Sequence, residues 1–256
     1  MTNRAVAQVE ICDVYKAYRV NGQPIEVLDG VSIYAAQGKF VTLIGPSGCG
    51  KSTLFSIICG LQQPDRGQIC FNGVPATQRI GMVGYMPQRD LLLPWRRVLD
   101  NVILGPEVHG ENLAAARREA RGLLPLFGLE GFADSYPTAL SGGMRQRAAL
   151  LRTFLCRKDV MLLDEPFGAL DAITRSALQE WLLRLWEQFR YTILFITHDV
   201  EEAVFLSDHV YVLTARPARV RLELAIPLPR PRRREMTLTL EFAALKQQLL
   251  AALAPG

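Results

Sequence analysis

The sequence predicts an α/β fold with buried parallel strands at its centre, and three observations carry that prediction. Short apolar, β-branched runs recur at Phe40–Ile44, 160–163 and 191–196. They are too short for helices and continuous enough for strands covered on both faces. Each run ends in residues that carry chemistry: a glycine-rich turn, then Asp164-Glu165, then Thr197-His198-Asp199. Between them lie stretches at helical spacing, such as Leu178, Trp181, Leu182, Leu185, Trp186 and Phe189. In α/β sheets ligands are met at the carboxyl ends of the strands, so these three ends form one candidate site.

The first end is Gly45-Pro46-Ser47-Gly48-Cys49-Gly50-Lys51-Ser52-Thr53. Gly45, Gly50, Lys51 and Ser52 meet the spacing G-x-x-x-x-G-K-S between a predicted strand and a predicted helix. Glycines let backbone N–H groups turn inward around phosphate oxygens, and the helix start adds its positive end. Lys51 supplies a full positive charge for the outer phosphates and Ser52 a hydroxyl for magnesium. The predicted ligand is a nucleoside triphosphate.

Two adjacent acids after a core strand are costly unless they serve a cation or a proton. Asp164 is expected to hold magnesium opposite Ser52, and Glu165 to orient or deprotonate a water. His198 is expected to hydrogen-bond the terminal phosphate. Asp199, Glu201 and Glu202 suit the first turn of a short following helix. Gln88 ends a further predicted strand, 81–86, before a leucine run, Leu91-Leu92-Leu93-Pro94-Trp95, that suits neither helix nor strand. Ser141 is a good N-cap, and Gly142-Gly143 expose backbone N–H groups behind it, which makes either a second anion site or an ordinary capped helix.

Ahead of the phosphate loop, residues 9–14 and 26–33 read as strands joined through Asn21-Gly22, with 68–71 a later strand. Tyr18 precedes that turn, where its ring either stacks on a base or covers the sheet edge. Residues 98–157 are expected to be mostly helical, with stripes at Leu113, Ala116, Ala120, Leu123 and Phe127 and at Met144, Ala148, Leu151 and Leu155. Gly60 is expected to stop the helix after the phosphate loop. Residues 208–213 and 220–224 read as closing strands, and Leu238, Phe242, Leu245 and Leu249 as the stripe of a last helix.

Composition narrows the class. The 256 residues are 49% hydrophobic and 21% charged, with a net charge of +4, so nothing demands nucleic acid or anionic lipid. The basic excess is local: Arg216, Arg219, Arg221, Arg230, Arg232, Arg233 and Arg234 read as a solvated basic face, with a phosphate-binding strip as the alternative. Five cysteines, none in a C-x-x-C pair, suit a reducing cytosol; Cys12, Cys59, Cys70 and Cys156 read as small core residues. Neither a signal peptide nor a membrane-spanning run is expected.

With the phosphate loop, Gln88, Ser141-Gly142-Gly143, Asp164-Glu165 and His198 in this order, the chain resembles the ATP-binding subunits of ABC transporters over residues 9–215. Residues 140–146 match that family's signature segment. Within the family it is similar to the nitrate, sulfonate and taurine importer group, through the Leu91 to Trp95 run, Met144-Arg145-Gln146-Arg147, residues 164–171 and Ala215-Arg216-Pro217-Ala218-Arg219. Residues 85–90 are also similar to members that import pyrimidine precursors of thiamine.

The resemblance implies one ABC ATPase domain, 8–256: a P-loop NTPase sheet with an N-terminal antiparallel β subdomain (8–88 and 158–218), an inserted α-helical subdomain (89–157), and a C-terminal strand, basic linker and helix (219–256). It implies ATP hydrolysis with Mg2+, Tyr18 stacked on adenine, Gln88 touching magnesium, and Ser141 to Gly143 on the ATP of a second copy, with Asp171 at the seam. Glu165, His198 and Lys51 would then be catalytic. It implies a homodimer on an integral-membrane permease at the cytoplasmic face of a bacterial inner membrane, served by a solute-binding protein. A soluble, non-transport ABC ATPase is the alternative.

Overall fold

Asn21 and Gly22 turn the chain back on itself with φ of 51° and 79°. That is the left-handed pair a two-residue hairpin turn demands, and the strands zip up behind it. β1 (Ala7–Val20) and β2 (Gln23–Ala36) pair antiparallel down to Val20 opposite Gln23, longer than the alternation predicted. The computed structural model describes residues 7–254, which form two compact units. One unit runs to Met82 and resumes at Gln179; the other is Val83–Leu178.

In the first unit, β4 (Arg66–Phe71) pairs with the other edge of β1, and β5 (Val74–Pro75) follows, giving an antiparallel sheet ordered β2-β1-β4-β5. Beside it lie β3 (Phe40–Ile44), β8 (Thr192–Ile196), β9 (His209–Leu213) and β10 (Val220–Ala225). β3 is parallel to both β8 and β9, and β10 is antiparallel to β9. Every residue of β3 and of β8 is buried, as their unbroken apolar composition requires. Phe40 anchors the packing, 5.6 Å from Phe195 and edge-on to Trp186 at 6.2 Å, ring centre to ring centre.

Helix α1 (Lys51–Ile58) leaves β3 through the glycine-rich loop and stops at Cys59-Gly60. Gly60 has φ +85°, and a Cβ there would stand 2.7 Å from the Ile80 nitrogen. Arg79 closes this end. Only 2% exposed, it donates to the carbonyls of Ile57 (2.9 Å), Ala76 (2.7 Å) and Gln62 (3.1 Å).

In the second unit, β6 (Gly84–Met86) and β7 (Val160–Asp164) are parallel neighbours, with Met86 opposite Leu163. The expected strand from residue 81 is formed only over its last three residues. Helices α2 (Val98–Val102), α3 (Leu104–Val108), α4 (Leu113–Leu123) and α5 (Gly142–Phe154) fill the rest. Phe127 lies beyond α4, yet it is fully buried and meets Phe154 at 5.6 Å. The leucine run is tied down by two residues with no motif of their own. Buried Asn101 accepts from Leu93 N–H (2.7 Å) and donates to Leu93, Arg96 and Arg97 carbonyls. Arg152 donates to the carbonyls of Asp90 (2.6 Å) and Leu91 (2.7 Å). The run is split by this folding: Leu92 is buried, whereas Leu91 and Trp95 are exposed. Helix α6 (Ala172–Phe189) passes from the second unit into the first.

The basic stretch divides: Arg216, Arg219, Arg221 and Arg233 are exposed, as a solvated face requires, whereas Arg230 and Arg234 are half-buried and Arg232 is buried. Among Arg216, Arg219, Arg221, Arg230, Arg232 and Arg234, each guanidinium has an acceptor in the first unit. Three of them serve α7 (Val200–Leu206), whose last carbonyls need donors. Arg232 donates to Val204 and to Phe205 (2.5 and 3.0 Å), and Arg230 to Leu206 (2.7 Å). Arg234 donates to Gln179 (2.7 Å), which in turn donates to buried Glu202 (2.8 Å) in the first turn of α7. Burial, with Arg230 beside it, pushes the Arg232 guanidinium down to about 9, still charged at neutral pH. Lys246 of α8 (Leu240–Leu253) adds an ion pair to Glu201 at 2.7 Å. In α8, Phe242, Leu245 and Leu249 are buried as their spacing predicts; Leu238 falls in the turn before the helix and is exposed.

Cys59 and Cys70 are buried, whereas Cys12 and Cys156 are half-buried. The difference at Cys12 follows from its face of β1, which it shares with Glu10 opposite Cys70. Burial, Glu10 and Cys70 together push the Cys12 thiol up to about 11. Among the described residues no helix is long and apolar enough to cross a membrane.

Arg79→Met, which keeps the bulk and removes the donors, is expected to cost about 2–4 kcal/mol by stranding buried carbonyls. A fall of roughly 4–12 °C in the unfolding midpoint by calorimetry checks it.

Candidate active site

The glycine-rich loop requires its glycines for three different reasons. A Cβ at Gly45 would meet the Leu213 carbonyl oxygen at 3.0 Å; one at Gly50 would meet Val27 and Leu28 side chains at 2.9 Å; Gly48 has φ +72°. The tip, Pro46-Ser47-Gly48, is open to solvent, and Cys49 is buried beneath it. Lys51 is only 7% exposed. Its ammonium donates to the Gly45 (2.8 Å) and Pro46 (3.0 Å) carbonyls and lies 3.9 Å from Cys49 Sγ. The loop therefore holds its own cation where an anion would sit. Ser52 is exposed in the first turn of α1, and Thr53 is half-buried beside it.

Two further residues of the first unit belong to the expected site. Tyr18 is half-buried near the hairpin tip. Its hydroxyl donates to Gln62, and the Lys16 ammonium lies 5.7 Å from its ring centre. His198 is exposed in the turn after β8, which is locked on both sides. Asp199 N–H donates to Thr197 Oγ1 (3.0 Å), and the Asp199 carboxylate caps α7 by accepting from Glu201 (2.8 Å) and Glu202 (3.2 Å) N–H groups.

The second unit carries the other half of the expected residues. Asp164, 3% exposed, ends β7, and Glu165 follows it half-buried. The parallel register of β6 and β7 brings Gln88 and Glu165 out at the same end, and Gln88 Nε2 donates to Glu165 Oε2 at 3.1 Å. Glu165 has φ 44°, a left-handed conformation that costs a non-glycine residue about 1–2 kcal/mol. Asp13, Asn21, Asn72, Leu91, Arg157 and Arg190 share this conformation, so at Glu165 it sets the direction of the carboxylate without marking it out. Ser141 caps α5 by accepting from Met144 N–H (3.3 Å). Gly143 is buried, and a Cβ there would meet Thr174 Cγ2 at 2.9 Å, so a side chain would have to displace that methyl group; at Gly142 the contacts would be ordinary. Asp171 caps α6 through Ile173 (3.1 Å) and Thr174 (3.0 Å), and these bonds hold its carboxyl below the usual range.

Sequence reasoning thus found where β3, β7 and β8 end. It did not find Arg152 and Asn101, which shape the segment after Gln88. No motif marks them, because their partners are backbone groups. The strain at Glu165 yields a prediction. Glu165→Gly relieves it, whereas Glu165→Ala keeps it, so the glycine variant is expected to unfold about 2–4 °C higher than the alanine variant in thermal melts.

The family profile described as ABC transporter matches residues 28–168. The chain is 44% identical over 191 residues to a formylaminopyrimidine import ATP-binding protein of Halalkalibacterium halodurans, covering 75% of this chain and 74% of that one. It is 40% identical over 212 residues to an aliphatic sulfonates import ATP-binding protein of Bacillus cereus, covering 83% of each. Among solved structures, the dimeric structure of a bacterial ABC transporter cassette matches with a TM-score of 0.76 at 28% identity, covering 86% of this chain and 100% of that one. A dimeric post-hydrolysis state of an ATP-binding cassette, bound to ADP and Pi, matches with a TM-score of 0.75 at 28% identity over the same shares. Identity of this extent, over a fold and a phosphate loop of this kind, assigns the chain: it belongs to the ABC transporter family and is an ATP-binding subunit with ATPase activity.

Proposed function

We propose that the chain drives import of a small solute through a separate permease by ATP-gated closure of two copies. One observation carries this reading. Each compact unit holds an anion-binding backbone, the loop 45–53 in one and the capped start Ser141-Gly142-Gly143 in the other. A single ATP bound by one chain needs only the first. Two copies arranged head to tail use both, with two ATP molecules between them. The dimeric cassettes and the import names of the relatives support the same arrangement. The relatives' names point to different solutes, so the shared class is a small polar solute of the sulfonate, taurine or nitrate kind or a pyrimidine precursor of thiamine. The exposed Leu91 and Trp95 beside Gln88 supply an apolar face for a permease, which a free-standing ATPase does not need.

In this reading the Lys51 ammonium leaves the Gly45 and Pro46 carbonyls for the outer phosphates, and the loop N–H groups surround them. The Tyr18 ring stacks on adenine. Ser52, Gln88 and Asp164 offer a hydroxyl, an amide and a carboxylate, the hard oxygen donors that suit magnesium. Gln88 gives its amide nitrogen to Glu165, which leaves its carbonyl oxygen for the ion. Magnesium, when bound, neutralises charge on the phosphates. Glu165 accepts a proton from the attacking water, and His198 and Lys51 stabilise charge on the transferring phosphoryl group. Asp171 lies at the seam with the second copy. The bond from Gln88 to Glu165 links the base to the segment that meets the permease. Attachment to the cytoplasmic face of the membrane is peripheral and runs through that permease, which a solute-binding protein supplies.

Glu165→Gln is expected to bind ATP and to lose at least 100-fold in turnover; full turnover removes Glu165 from its role. Ser141→Arg is expected to cut hydrolysis at least tenfold while ATP binding by the monomer, read by equilibrium dialysis, stays within twofold. Lost monomer binding would argue against a site shared between copies.

A further inference from the structure

The turn between β9 and β10 reaches the phosphate loop. Arg216 donates from Nε (3.1 Å) and Nη2 (2.7 Å) to a single acceptor, the carbonyl oxygen of Gly48 at the loop tip. The turn that carries Arg216 is itself fixed. Thr214 N–H donates to the Arg219 carbonyl (3.0 Å), and Arg219 N–H to Thr214 Oγ1 (2.9 Å). Fully buried Ala218 donates to the Val27 carbonyl and accepts from Asp29 N–H, both at 2.9 Å. Arg219 Nε donates to the Asp29 carboxylate at 2.7 Å. This same stretch of β2 packs against Gly50 through Val27 and Leu28, while Leu213 abuts Gly45. One braced unit of β2 and the β9–β10 turn therefore holds the loop at its entry, tip and exit.

A loop that binds phosphate through N–H groups must turn its carbonyls away from the anion. A two-point, charged donor on the Gly48 carbonyl fixes the plane of the Gly48–Cys49 peptide and adds positive charge at the loop tip. We propose that Arg216 is a positioning residue for ATP binding: it holds the tip of the phosphate loop in the shape that receives phosphate. The proposal rests on residues 45–53 being the nucleotide site. Nothing in its own motif marks Arg216, because its partner is a main-chain oxygen.

The test compares ATP turnover, ADP binding by calorimetry and nucleotide-free thermal unfolding for the wild type, Arg216→Ala, Arg216→Lys and Arg221→Ala. Arg221 is a control of the same chemistry, donating to the Ala252 and Ala254 carbonyls at the far end of the chain. Arg216→Ala is expected to raise KM for ATP and Kd for ADP about tenfold, with kcat within about twofold and the nucleotide-free melting midpoint unchanged. Arg216→Lys recovers part of the affinity, and Arg221→Ala leaves it unchanged. Unaltered affinity in Arg216→Ala overturns the proposal. So does tighter binding, which would make the contact a latch on the empty loop, and so does a loss matched by a lower nucleotide-free midpoint. A wild type that binds no nucleotide overturns the reading of the site and the proposal with it.

Discussion

The structure depends on a cation kept inside a backbone loop. A lysine ammonium with so little exposure is tolerated only where oxygens replace water, and the Gly45 and Pro46 carbonyls do so for Lys51. Those carbonyls reach it because the loop folds tightly, and it folds tightly because side chains are absent at Gly45 and Gly50, where Leu213, Val27 and Leu28 occupy the space. The buried strand β3 delivers the loop, and α1 carries it away with its N-terminal end toward the same cation. In the proposed role the counter-charge for phosphate is already in place, and an entering phosphate would replace two carbonyls rather than a shell of water, which lowers the cost of reorganisation.

The second unit repeats the logic with different parts. Ser141 satisfies one N–H of α5, and a side chain at Gly143 would press on the Thr174 methyl group beside it. The parallel pairing of β6 and β7 sets Gln88 against Glu165, and the left-handed backbone at Glu165 places the carboxylate where an unstrained residue would not. The phosphate loop lies in one unit and the capped start of α5 in the other, and the proposed two-copy mechanism uses one from each chain.

What could be read from the sequence follows a simple rule. Asn21-Gly22, the unbroken apolar strands, the glycine-lysine loop, the cap at Ser141 and the acids at the start of α7 were legible, because each depends on a residue type whose special property is local. Glycine permits a positive φ, serine and aspartate satisfy a nearby N–H, and β-branched residues fill a buried strand. The arginines were not legible. Arg79, Arg152, Arg216, Arg230 and Arg232 all donate to main-chain carbonyls, and every residue carries one, so no partner is marked. The cluster near the end of the chain reads as a charged surface, and the fold shows that two of its members, Arg230 and Arg232, cap α7. Asn101, buried among the carbonyls of the loop it shapes, was hidden for the same reason. The strain at Glu165 had no local signal either, since an acid after a strand is ordinarily extended.

In the proposed mechanism the phosphate loop is half of a site, completed by a second copy. The most direct measurement is the rate of ATP hydrolysis per chain as a function of protein concentration at saturating ATP, with the assembly state followed by sedimentation. The rate per chain is expected to rise with concentration and to level off as dimers form. A rate per chain that stays constant down to concentrations where only monomers sediment would contradict it.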